Sequence, residues 1–221
     1  MNTLNRFELL RHRLFRAPAR LWLPITLFLG FSLASTAVFA STYAVNIDTS
    51  SLFGTSAQLA FDVIDGGTPA NSVTISSFAT DGSLGSASGT GDVSGSLAGT
   101  LVLNDTVSPL NEYLAGITLG SSLSFVFEAT NNAPDNPSSS PDGFSFYILT
   151  ALGGDITSTG DPSGTNALLV LDISGATTAP TPYSGSNPSV PVVVTPVPIP
   201  PGLVLLLSGL PLCLRRRQKA C

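Results

Sequence analysis

Between Ser41 and Leu214 the chain carries thirteen carboxylates and no lysine, arginine, histidine, methionine or tryptophan. The chemistry open to such a set is narrow. His12 is the only histidine, so Ser-His-Asp and Cys-His catalysis, histidine zinc sites and Schiff-base lysines have no residues to work with in this span. What remains is acid chemistry by a carboxylate pair of the glycosidase kind, or coordination of a hard cation by oxygen. Most of the acids stand beside glycine or proline, as in Asp65-Gly66-Gly67, Asp81-Gly82, Asp142-Gly143 and Asp161-Pro162, where their ordinary work is to form turns. The chain is therefore expected to be no enzyme. One stretch gathers oxygen ligands more densely: Asn131, Asn132, Asp135, Asn136 and Asp142 cluster around a loop with no basic residue to neutralise them, which makes a calcium site there the expected metal chemistry.

The span from Ser41 to Leu214 has a formal charge of minus thirteen. It offers no side-chain cation to a phosphate, which excludes nucleic-acid binding and electrostatic adhesion to anionic lipid. Both cysteines, Cys213 and Cys221, lie at the C-terminus, so nothing before them can be held by a disulfide. Stability must come from an apolar core or from bound ions.

The elements that position these acids are strands. From Thr42 to Ser174 short apolar-periodic runs alternate with clusters of Gly, Asn, Asp, Ser and Pro, and no stretch shows sustained helical spacing. Leu59, Phe61 and Val63 share one face of an extended chain; so do Leu123, Phe125 and Phe127, then Phe144, Phe146 and Ile148, then Leu169, Leu171 and Ile173. Tyr43 to Asp48, Val73 to Phe78, Leu97 to Leu103 and Tyr113 to Leu119 complete eight expected strands. Residues 41–174 therefore read as one all-β ectodomain, a β-sandwich or a jelly roll. The Ser- and Gly-rich segment from Gly82 to Gly95 reads as a long hairpin connection or an edge strand of low hydrophobicity. Residues 175–196, rich in Pro, Thr, Ser and Val, read as an extended stalk with polyproline geometry.

The ends carry targeting signals. Arg6, Arg11, Arg13, Arg16 and Arg20 precede an apolar run from Leu21 to Leu33, and small residues follow, ending at Ala40. This is the order of a signal peptide over residues 1–40, cleaved between Ala40 and Ser41. At the other end a short apolar segment from Ile199 to Leu214 is followed by Arg215, Arg216 and Arg217. Basic flanks stay cytoplasmic, so both ends give one topology in which everything between them is outside.

Val197-Pro198-Ile199-Pro200, the apolar helix and the arginine cluster together resemble the tripartite PEP-CTERM sorting signal, over residues 197–221. Ile199 stands where the usual motif has glutamate, so the likeness is to the Glu-less V-P-x-P variants. The resemblance implies processing by exosortase, an integral-membrane cysteine peptidase of Gram-negative bacteria that make exopolysaccharide. It implies an inner-membrane intermediate followed by release to the cell surface or extracellular matrix, and a structural or interaction role there, with exopolysaccharide or other matrix components as partners. The alternative reading is a carbohydrate-binding β-sandwich module, with or without calcium. Pro141-Asp142-Gly143-Phe144 with Phe146 resembles the Asp-Gly-x-x-Phe-Phe segment of legume-type lectins, which implies a sugar contact at Asp142.

Overall fold

Alternating apolar residues produce two sheets whose facing surfaces bury them. A computed structural model describes residues 41–67, 69–132, 140–174 and 179–198. In chain order the strands are β1 (Ser41–Asp48), β2 (Ser56–Ile64), β3 (Ser72–Thr80), β4 (Ser83–Thr90), β5 (Asp92–Gly95), β6 (Leu101–Asn104) and β7 (Leu110–Thr118). They continue with β8 (Ser122–Ala129), β9 (Asp142–Thr150), β10 (Leu169–Ile173), β11 (Thr181–Pro182), β12 (Gly185–Ser186), β13 (Ser189–Val190) and β14 (Val192–Pro196). One sheet has the order β14-β1-β8-β3-β6-β5 and the other β11-β10-β9-β2-β7-β4; β12 and β13 form a separate small hairpin. The neighbours are antiparallel. Among the described residues the only helical turn is a 3-10 turn at Ser50–Leu52, and no helix is long and apolar enough to cross a membrane.

The core is a layer of phenylalanines between the sheets. Phe125 and Phe127 on β8 meet Phe61 on β2 and Phe144 and Phe146 on β9; ring centroids lie 5.3 Å apart for Phe61 and Phe125, and 5.1 Å for both Phe125–Phe146 and Phe127–Phe144. These tilted and edge-on contacts are the arrangements that ring quadrupoles favour. All five rings are fully buried, and each contributes roughly 1.5–3 kcal/mol through burial. Leu59, Val63, Val73, Ile75, Leu101 and Leu103 extend the same cluster.

Seven of the expected strands are present over most of their length; the one expected over Leu97 to Leu103 is corrected to β6 alone, because Ser96 to Gly99 make the turn that leads into it. The Gly82–Gly95 segment forms two edge strands, β4 on one sheet and β5 on the other. β4 is exposed at every position, so it had no apolar face by which to announce itself. The stalk expected over residues 175–196 is corrected by β14, whose residues pair with β1 from Ile47↔Val192 to Tyr43↔Pro196. Three consecutive β-branched valines, Val192 to Val194, favour a strand, and Pro191 and Pro196 stand only at its ends, as an edge strand permits. Val190 and Val192 are buried in the common core. The chain is extended there as expected, but in a sheet rather than in a free polyproline segment. The signal peptide, Ile199, Pro200 and Arg215 to Arg217 lie outside the described residues.

Candidate metal centre

Four strand ends meet at one end of the sandwich. β2 ends at Ile64 opposite Gly143 near the start of β9, and β3 starts at Ser72 opposite Asn104 at the end of β6. The residue next to each of these ends is polar: Asp65 follows β2, Asn71 precedes β3 and Asp105 follows β6, while Asp142 opens β9. One sheet thus supplies Asp65 and Asp142, and the other supplies Asn71 and Asp105.

One carboxylate oxygen from each of Asp65, Asp105 and Asp142 lies within 4.8 Å of the others. Asp105 and Asp142 are only 4% and 3% exposed, and Asn71 is 3% exposed. Asn71 holds the group in place. Its backbone N–H donates to Asp105 Oδ1 at 2.7 Å and its Nδ2 to Asp142 Oδ2 at 2.6 Å. Its Oδ1 accepts from the Asn132 amide at 2.8 Å and from the Thr130 hydroxyl at 3.1 Å. Asp142 Oδ1 accepts from the Gly66 amide at 2.8 Å. A Cβ on Gly66 would lie 2.2 Å from the Pro141 carbonyl oxygen, so only glycine lets the Asp65 turn approach β9 this closely. Asp65 Oδ1 closes that turn by accepting from the Gly67 amide at 2.7 Å, with Gly67 at φ 143°.

The cluster lacks compensation. Asp105 Oδ2 is buried and has no hydrogen-bond partner. Burial pushes the Asp105 carboxyl up to about 6; the Asn71 amide opposes the rise, and Asp142 and then Asp65 add to it. Lysine, arginine and histidine do not occur among the described residues, so no side-chain cation can relieve the group. Two ionised carboxylates at this separation repel by about 3 kcal/mol at an effective dielectric constant of 20. A shared proton or a bound cation relieves that repulsion, and three carboxylates with an oxygen of each within 4.8 Å of the others suit the second.

The expected calcium ligands divide accordingly. Asp142 belongs to the acid cluster, but with Asp65 and Asp105 rather than with the loop residues named from the sequence. Asn132 supports the cluster from behind: its backbone N–H holds Asn71, and its Nδ2 donates to the Ala70 carbonyl at 2.9 Å. Asn131 precedes it at the same loop, and Asp135 and Asn136 lie outside the described residues. The sugar contact at Asp142 is corrected. The side chain is only 3% exposed, which leaves a sugar in solvent no face of the carboxylate to contact, and Phe144 and Phe146 are core residues. Asp65 and Asp105 escaped the sequence reading because Asp65 stands 40 positions before Asp105, which stands 37 before Asp142, in runs that look like ordinary turns.

Of the other acids named as turn formers, Asp161 does that work and Asp81 instead ties its turn to the one between β7 and β8. Asp81 accepts from the Ser121 and Ser122 amides at 3.0 and 2.8 Å, and the Ser121 hydroxyl followed by these amides holds its carboxyl well below the usual range. Asp161 accepts from the Ser163 amide at 3.0 Å and from the Thr165 hydroxyl at 2.8 Å. No family model, curated protein or solved structure matches the chain.

Proposed function

We propose that this chain is an exported, non-catalytic β-sandwich module, sorted by exosortase to the cell surface or exopolysaccharide matrix, where it acts as a structural or interaction protein. The observation that carries the reading is the order of parts in the sequence: an arginine-flanked apolar run, a domain free of basic residues, then Val197-Pro198-Ile199-Pro200, an apolar segment and Arg215 to Arg217. The fold supports it at the two exits. The described part of β1, from Ser41 on, pairs along its whole length with β8, so a chain that starts at Ser41 keeps that pairing. Its first residues pair with the end of β14, Tyr43 opposite Pro196, and the Val197 N–H donates to the Thr42 carbonyl at 2.9 Å. The described chain therefore enters and leaves one sheet on adjacent strands at the same end, which supports a reading in which the flanking segments face one bilayer. With no stalk between them, the V-P-x-P motif starts where the last strand leaves the sheet. On sequence grounds the prolines at 198, 200 and 201 disfavour helix, which supports a motif that a peptidase can reach.

The test is a tag placed after Cys221 with fractionation of membrane and surface material. The reading expects untagged protein at the surface for the natural sequence and tagged protein retained in the inner membrane for Pro198→Ala with Pro200→Ala. A tag that stays on surface-located natural protein would make the C-terminal segment an ordinary anchor.

A further inference from the structure

We infer that Asp65, Asp105 and Asp142 form a calcium site that ties the two sheets together at the end from which both termini emerge. The inference is independent of the export reading. Two oxygens bound to one calcium ion at 2.3–2.6 Å stand at most about 5 Å apart, and the three carboxylates meet that limit. The second observation is Asp105 itself. Its side chain is 4% exposed, one oxygen is held by Asn71, and the other is buried with no hydrogen-bond partner, in a residue whose carboxylate lies within 4.8 Å of those of Asp65 and Asp142. A buried acceptor left unpaired is costly, and a cation placed among the three carboxylates would satisfy it.

The ligand chemistry selects the ion. Every donor is an oxygen, and neither histidine nor cysteine occurs among the described residues, which disfavours zinc and the softer transition metals. Magnesium prefers strict octahedral geometry with several waters, whereas calcium accepts irregular sets of six to eight oxygens that mix carboxylates, carbonyls and water. Asp65 and Asp142 come from the β2 and β9 ends of one sheet and Asp105 from the β6 end of the other, so an ion here acts as a cross-link where a disulfide is absent.

The experiment is titration of the chelator-stripped full-length chain with calcium chloride at fixed ionic strength, read by calorimetry and by thermal unfolding. Binding is expected at about one ion per chain with Kd in the range ~10⁻⁵ to 10⁻³ M. Calcium at a hundred times Kd should raise Tm by roughly 5–10 °C. Asp105→Asn should weaken binding at least about tenfold and abolish the calcium-dependent rise, while its Tm in chelator equals or exceeds that of the natural chain because one repelling charge is gone. Asp142→Asn should lose the response as well, and Asp155→Asn, in the loop beyond the far end of β9, should keep it. The inference is overturned if the natural chain shows no heat and no shift, if Asp105→Asn responds as the natural chain does, or if sodium chloride at matched ionic strength gives the same rise.

Discussion

Replacing Asp62 by asparagine should stabilise the protein at neutral and alkaline pH and flatten its pH dependence. Asp62 lies on the outward row of β2, opposite Glu112 on β7 and Ser145 on β9, with Tyr147 next along the same face of β9. Its Oδ1 is buried and unpartnered. Burial, and after it the charge of Glu112, push its carboxyl up to about 7 from an ordinary value of 3.8. The folded state therefore holds a proton that the unfolded state has released between about pH 4 and 7. Because the folded form binds more protons in that window, stability falls as pH rises. The contribution is full below the unfolded value and is lost as pH passes through about 7. Over the whole range from below 3.8 to above 7 the loss is about 4 kcal/mol, and partial solvent access reduces this to about 2–4 kcal/mol. Asparagine carries no charge to desolvate and can donate to Glu112. Denaturant unfolding of the full-length chain at pH 5 and pH 8 should show the natural protein weakening over this interval by about 1.5–2.5 kcal/mol more than Asp62→Asn, because part of the loss has already occurred below pH 5. A variant that is less stable than the natural chain at pH 8, or that keeps the same pH slope, would refute the reasoning.

Two further substitutions test the packing. Phe125→Ala removes the ring that meets both Phe61 and Phe146 across the sheets and should cost about 3–5 kcal/mol in denaturant unfolding. Val192→Asp places a carboxylate at a position only 7% exposed in β14 and should lower stability by at least ~3 kcal/mol, whereas a free stalk would tolerate it without a change in Tm.

The fold was legible wherever burial imposes alternation. Phe144, Phe146 and Ile148 repeat at intervals of two because each must enter the same core, and that period is visible without any knowledge of what they touch. β4 has no such constraint, since an exposed edge strand of Ser, Gly and Ala is held by backbone pairing alone. β14 was obscured by composition: prolines around it resemble a linker, while the three valines that decide its pairing occupy little sequence. Asp142 stood out among turn formers for the oxygen-rich stretch before it. Asp65 and Asp105 did not, because what sets them apart is proximity across two sheets, and strand order is not written in local spacing.

The most direct test of the export reading is the intact mass of the protein recovered from the cell surface. The account predicts a chain that begins at Ser41 and ends before Arg215, with the sandwich from β1 to β14 retained whole. A mass that includes the five N-terminal arginines, or the cluster Arg215 to Arg217, would contradict it.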